Sequence, residues 1–214
     1  MGCKMEAVKA ENGPSFGSWV RQVFVWLFVG LLLAFFVAYR TPPAYGWAGF
    51  GAFIVTILAL LGMWKARGTG AKAVMYLIFT AAMGYSINYI AYYYSVEDVI
   101  NALFITSGIF FGLIILAFVR PDAFRSNSFG AILGFSLLGI IFMELFAWLF
   151  GWGGVFSVTN WIVVLIFMGY TLWDTAKLKE RYEAGQSPIY SAAAFFLDFI
   201  NLFIRILIMT RERD

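Results

Sequence analysis

Long apolar runs, each bracketed by charged residues, dominate the sequence. Runs of about 20 apolar residues match the length of a helix that crosses a membrane. A helix also satisfies its backbone polar groups internally, as lipid requires. These runs therefore predict an all-α integral membrane protein. The first four lie between Arg21 and Arg40, Arg40 and Lys65, Lys72 and Glu97, and Asp98 and Arg120.

The second half of the chain holds three further spans. Residues 126–176 carry only two charges, Glu144 and Asp174, and are long enough for two spans that separate at the turn-rich cluster 151–154. A last apolar segment, 188–210, is unusual because polar side chains interrupt it. The sequence therefore predicts seven transmembrane helices, six ordinary and one unusual.

The distribution of Lys and Arg predicts the orientation of these spans. Loops rich in Lys and Arg alternate along the chain with loops whose one basic residue is Arg40. The positive-inside rule places the basic loops, and with them the N-terminus, in the cytoplasm. We predict an N-terminal cytoplasmic tail over residues 1–18, a membrane domain over 19–210 and a short tail over 211–214. The short loops and the lack of organelle signals favour a bacterial plasma membrane. The loops on the basic side hold Lys65, Arg67, Lys72, Arg120, Arg125, Lys177, Lys179 and Arg181.

Two residue counts exclude whole classes of chemistry. The chain has no histidine, which excludes a Ser-His-Asp triad and a His-ligated zinc or haem site. Its single cysteine, Cys3, excludes an intramolecular disulfide and a thiolate cluster. Without histidine only an aspartyl mechanism would remain for a hydrolase, and we predict no enzymatic activity. We also predict no cofactor and no nucleic-acid partner. Proton sensing near neutral pH would depend on carboxylates.

The last apolar segment carries a polar stripe. Its members, spaced 3, 4, 3 and 4 residues apart, share one narrow face of a helix. An ionisable stripe that faced lipid would be costly, so it must face protein or a water-filled cavity. The pattern predicts that the last helix lies at the centre of the bundle. The stripe consists of Ser191, Ala194, Asp198, Asn201 and Arg205.

Two carboxylates on the last two helices are predicted to lie at the same height. If residues 183–187 form a hairpin tip, Asp174 lies nine residues before it and Asp198 eleven after it. At about 1.5 Å per residue, both lie roughly 14 to 16 Å from the tip. Antiparallel neighbouring helices would then bring Asp174 and Asp198 together.

Such a pair has a definite chemistry. Two carboxylates in a poorly solvated site cannot easily both ionise, so we expect them to share a proton near neutral pH. Protonated, the pair clasps the two helices; deprotonated, it repels and attracts a hard cation. Calcium prefers about 6 to 8 oxygens, so Asp174 and Asp198 would bind it only weakly and transiently. The pair predicts a pH-sensitive latch on a cation path.

Structural roles for the same residues remain open. Asp174 could pair with Lys177 at the interface, and Asp198 could be a structural partner of Arg205. Arg205 itself could be a snorkelling cation. Glu144, midway along the fifth span, could be a third cavity carboxylate or a neutral, hydrogen-bonded group.

These residues resemble the Bax inhibitor family of membrane proteins, also called the transmembrane Bax-inhibitor-motif family. The segment Leu197–Phe203 (Leu-Asp-Phe-Ile-Asn-Leu-Phe) closely resembles the family's last-helix motif. The segment Leu172–Thr175 (Leu-Trp-Asp-Thr), with Lys177–Lys179 after it, is similar to the family's Tyr-Asp-Thr-x-x-Ile motif. Residues 118–134 resemble its fourth-to-fifth loop more loosely.

The resemblance implies a seven-helix fold and a pH-dependent calcium leak gated by Asp174 and Asp198. It also implies a basic residue at the cytoplasmic end of helix two that can engage this pair, for which Lys65 and Arg67 are the candidates. The sequence departs from the family in two places: helix two lacks an acidic residue, and Arg205 stands where a neutral one is common. Further candidates for gating or for lining the pore are Asn201, Arg205 and Glu144.

Three functions fit the sequence. The first is a calcium leak channel or transporter whose partners are the bilayer, calcium ions and protons. The second is a membrane-embedded regulator that binds other membrane proteins and uses its aspartates only for structure. The third is a proton/calcium exchanger, in which the same carboxylates carry protons.

Overall fold

The computed structural model describes residues 14–43, 47–152 and 155–211, and these ranges contain helices and no strand. The all-α prediction is therefore confirmed for the described part of the chain. The described residues form ten helices: α1 Phe16–Arg40, α2 Trp47–Lys65, α3 Thr69–Ser86, α4 Ile90–Tyr93, α5 Val96–Val119, α6 Pro121–Phe124, α7 Asn127–Phe150, α8 Val155–Ala176, α9 Leu178–Glu183 and α10 Pro188–Arg211.

Six of these helical segments are long and apolar enough to cross a membrane. They are α1, α2, α3 with its continuation α4, α5, α7 and α10. The seventh long helix, α8, has 22 residues but is not among the six. The sequence prediction named α10 as the unusual span. In the structure α10 is one of the six spans counted over the described residues, and α8 carries Asn160 and Asp174 into the protein interior.

Helix α10 lies at the centre of the bundle, as the polar stripe predicts. It packs against α1, α3, α5 and α8. In its most apolar 18-residue stretch 61% of residues are buried, against 11–39% in the other five spans. The ionisable side chains of this helix, Asp198 and Arg205, are therefore largely enclosed by protein.

Aromatic rings fix the rotation of α10 about its axis. Phe199 meets Phe110 of α5 edge-on at 5.3 Å between ring centroids, and Phe196 meets Phe79 of α3 at 5.2 Å. Each such pair contributes about 0.5–1.5 kcal/mol beyond its buried area. Because the rings bind the apolar faces to α3 and α5, the face that carries Asp198 is turned to α8.

Close helix contacts occur at Gly84 and at Gly130, and the sequence marks only Gly130, as part of a GxxxG pair with Gly134. A Cβ on Gly84 of α3 would lie 2.8 Å from the Cα of Ala34 in α1, so these two helices touch backbone to backbone. A Cβ on Gly130 of α7 would similarly lie 2.6 Å from the Trp173 ring of α8. By contrast, a Cβ on Gly108 or Gly112 of α5, which form the other GxxxG pair, would have no atom of the described residues within 4 Å.

We expect Gly84→Ala to destabilise the protein. The added methyl has no space against the Ala34 backbone, and overpacking of this kind costs about 1–3 kcal/mol. Thermal unfolding in detergent measures the effect. Gly112→Ala is the matched control, since its methyl meets open space and also improves helix propensity. Equal melting temperatures for the two variants would contradict the close contact.

Candidate functional site: a buried carboxyl pair with an arginine

A tight hairpin brings α8 and α10 together. Helix α8 ends at Ala176, α9 follows, and Gly185 reverses the chain with φ +68°, a conformation that favours glycine. The first helix braces this turn, because Trp19 Nε1 donates to the Gln186 carbonyl at 2.9 Å. The Tyr182 hydroxyl also donates to the Pro14 carbonyl at 2.9 Å. The hairpin tip therefore lies within the predicted range 183–187.

The hairpin brings Asp174 and Asp198 side by side. Both are buried, with 4% and 3% of their surface exposed, and each carboxyl group lies within electrostatic reach of the other. Tyr170 lies close enough to interact electrostatically with both. The Oδ2 atom of Asp198 is buried and has no hydrogen-bond partner among the residues that the structure describes. A buried oxygen in this position, next to a second carboxyl group, is a natural site for a proton.

The cation on this pair is Arg181. Its Nη2 donates to Asp174 Oδ1, and its guanidinium carbon lies 5.5 Å from the centroid of the Trp173 ring. The side chain is itself only 17% exposed. Lys65 and Arg67, the candidates from helix two, are exposed at the end of α2. The cation that contacts Asp174 is instead Arg181, which belongs to the hairpin between α8 and α10.

Lys177 is not the partner of Asp174 that one structural interpretation proposed. Its Nζ donates to Asn127 Oδ1 at 2.8 Å and to Glu180 Oε2 at 2.6 Å, which ties the start of α7 to α9. The hydrogen bond from Lys177 holds the pKa of the exposed Glu180 carboxyl below its ordinary value. The buried Lys177 therefore ties the hairpin to the start of α7, while Arg181 is the cation that binds Asp174.

A second polar cluster lies toward the other end of α10, and we call it the Glu144–Arg205 cluster. Arg205 Nη1 and Nη2 lie 3.1 Å and 3.2 Å from the two carboxylate oxygens of Glu144 in α7. Arg205 also donates to Asn160 Oδ1 at 2.6 Å, and Thr159 donates to Glu144 at 2.9 Å. The partner of Arg205 is thus Glu144 rather than Asp198. Glu144 is engaged in an ion pair rather than standing as a third carboxylate beside Asp174 and Asp198.

Asn201 lies on α10 between the two clusters. Its side-chain amide donates to the Leu197 carbonyl of its own helix at 2.7 Å, and the residue is half-buried. The polar stripe on α10 is therefore divided between two sites, the Asp174–Asp198 pair and the Glu144–Arg205 cluster. Asn201 lies between them and hydrogen-bonds within its own helix. Within the described residues, no group of three or more His, Cys, Asp or Glu side chains could hold a metal ion.

Sequence reasoning missed two members of these sites. Arg181 stands seven residues after Asp174, and this spacing places both on one helix face, but it does not by itself assign Arg181 as the partner of the pair. Asn160 offered no such signal, because its contact with Arg205 joins residues 45 positions apart. Taken together, these features define a class of protein: a helical integral membrane protein. Its central helix, α10, contacts enclosed ionisable side chains at two positions along its length, near Asp198 and near Arg205.

Comparison with known proteins assigns the family. The family described as "Inhibitor of apoptosis-promoting Bax1" matches residues 17–214. Inner membrane protein YbhL of Escherichia coli is 26% identical over 212 residues, covering 89% of each chain. Bax inhibitor 1 of Schizosaccharomyces pombe is 30% identical over 157 residues, covering 72% of this chain and 58% of its own. The chain belongs to the Bax inhibitor family of membrane proteins.

Proposed function

We propose that this protein is a pH-dependent calcium leak of the bacterial plasma membrane, gated by a latch made of Asp174, Asp198 and Arg181. The observation that carries the proposal is the burial of two adjacent carboxyl groups and one guanidinium between α8 and α10. Membership of the Bax inhibitor family and similarity to an inner membrane protein of Escherichia coli support the proposed location in the bacterial plasma membrane. The N-terminus is proposed to face the cytoplasm.

The charge balance of the latch gives the direction of gating. With one proton on the pair, the second carboxylate and Arg181 cancel, and the cluster is neutral. Loss of that proton leaves a net charge of −1 in a buried site, where two carboxylates repel and solvation is poor. The closed hairpin is therefore favoured at low pH, and rising pH loosens α8 from α10.

The same loss of a proton makes the site attractive to a hard cation. Two ionised carboxylates supply four oxygens, fewer than the about 6 to 8 that calcium prefers, so water has to complete the shell. A weakly held ion leaves readily, which suits permeation. Calcium is accordingly proposed as a substrate of Asp174 and Asp198, with no resident metal.

Calcium uptake into proteoliposomes tests the proposal. Purified protein is reconstituted around a calcium-sensitive dye, and uptake is followed from acidic to mildly alkaline pH. We expect flux to rise as protons leave the pair. Each pH unit changes the ratio of protonated to deprotonated latch by about tenfold while a single proton controls it.

Two other outcomes would replace the proposal. Correctly folded protein that carries no calcium at any pH would favour a regulator that binds other membrane proteins. Uphill calcium movement driven by a pH gradient alone would favour a proton/calcium exchanger that uses the same carboxylates.

A further inference from the structure

A cavity of about 490 Å³ lies beside the latch, between α2 and α10. Helix α2 is a peripheral helix, with only 17% of its most apolar stretch buried, and it packs chiefly against α3. The cavity therefore lies at the edge of the bundle, beneath a helix that faces the membrane. Its walls are mostly apolar, and Arg181, Gln186 and Tyr190 add polar groups to them. The apolar wall residues are Leu60, Met63, Trp64, Ala193, Ala194 and Leu197.

The cavity lies at the end of the bundle that carries the cations. The Tyr190 hydroxyl at its wall donates to the Met63 carbonyl at 3.0 Å, which ties the start of α10 to the end of α2. Lys72 Nζ lies 4.8 Å from the centroid of the same Tyr190 ring. Lys65 directly follows the wall residue Trp64, and it is exposed.

Arg181 adds a further positive charge at the cavity wall. A guanidinium has five N–H donors, and Nη2 is the nitrogen that serves Asp174. The described residues that line the cavity include no acid. The exposed acids of the nearby hairpin are engaged elsewhere, Glu180 with Lys177 and Glu183 with Lys179.

We propose that this cavity binds one anionic phospholipid. Its phosphate would be drawn to the positive charge of Lys72 and Arg181, and an acyl chain would cover the apolar wall at Leu60, Met63 and Leu197. Basic pockets between membrane helices recognise anionic head groups in this way. A soluble anion fits less well, because it would leave an apolar surface next to the membrane uncovered.

Occupancy would give Arg181 two anionic neighbours. The guanidinium touches Asp174 on one side and lines the cavity on the other, so a bound phosphate and Asp174 share the same cation. This part of the inference connects the lipid to the proposed latch. Lipid binding itself stands without the proposed function, and it is measured without any calcium flux.

Native mass spectrometry of the detergent-purified, delipidated protein tests the proposal. The probes are phosphatidylglycerol and phosphatidylcholine with identical acyl chains. We expect one phosphatidylglycerol to be retained in preference to phosphatidylcholine. Lys72→Gln should weaken its binding about fivefold, the loss expected for one cation near an anionic head group. Lys179→Gln, which removes an exposed cation outside the cavity, is the matched control and should bind as the wild type does.

A second variant locates the site. Ala194→Phe places a ring in the cavity and should remove phosphatidylglycerol binding, with folding checked by thermal unfolding. Equal retention of the two lipids, or equal losses in Lys72→Gln and Lys179→Gln, would overturn the proposal. Displacement of the lipid by glycerophosphoglycerol, which has the head group and no acyl chains, would instead identify a soluble-anion site. If Ala194→Phe does not fold, the comparison of the two lysine variants decides.

Discussion

Asp198→Asn is expected to give a low calcium flux that no longer changes with pH. Asparagine has the shape of the protonated carboxyl group and cannot lose a proton, so it holds the latch in its neutral form. Asp174 then keeps Arg181 as its partner at every pH in the range, and the cluster never reaches a charge of −1. The steep rise in flux expected of the wild type should disappear.

The measurement compares Asp198→Asn with the wild type in the same proteoliposome assay and at matched protein density. Asp122→Asn is the control, since it makes the same chemical change at an exposed residue whose partner is Arg125. We expect Asp122→Asn to keep the pH response of the wild type. A pH response that survives intact in Asp198→Asn would refute the latch, even if the protein still conducts calcium.

Asp174→Asn tests the other carboxyl group of the pair. It removes the carboxylate that Arg181 binds and leaves the guanidinium beside Asp198. The remaining carboxylate and the arginine form a neutral pair once Asp198 ionises, so deprotonation no longer creates excess negative charge. This variant should also flatten the pH profile. A change in only one of the two variants would assign the proton to that residue alone.

Much of this site is predictable from the sequence for a simple reason. The spacing of Asp198, Asn201 and Arg205 along one face determines which side of α10 is polar, and a polar stripe in an apolar helix has to be enclosed. A short hairpin then fixes the relative height of Asp174 and Asp198 by residue counting alone. These inferences use only local geometry, and for that reason the structure agrees with them.

The contacts that the sequence did not yield depend on how helices pack. Glu144 and Arg205 are 61 residues apart and lie on different helices, so their meeting depends on the rotation of α7 and α10. Lys65 and Arg67 were plausible partners of the aspartate pair by their place at the end of α2, but both are exposed. Arg181 prevails because two helical turns place it directly over Asp174.

Breaking the Glu144–Arg205 ion pair should cause a large loss of stability. Glu144→Gln keeps one acceptor oxygen but removes the negative charge, so the Arg205 guanidinium is left in the bundle without its counter-ion. Removing one partner of a fully buried pair costs about 3–5 kcal/mol. Each side chain here is 22% exposed, which allows some hydration, so we expect a loss of about 2–3 kcal/mol in the free energy of unfolding.

The double variant Glu144→Gln/Arg205→Met should recover most of that loss. Methionine replaces the cation with a flexible apolar side chain, so no charge is left without its counter-ion. Denaturant titration in mixed micelles measures the free energy of unfolding of both variants. Asp122→Asn breaks an exposed ion pair, that of Asp122 with Arg125, and should cost less than about 1 kcal/mol. If Glu144→Gln were as stable as Asp122→Asn, or if the double variant were no more stable than Glu144→Gln, the pair would not be a unit that holds α7 to α10.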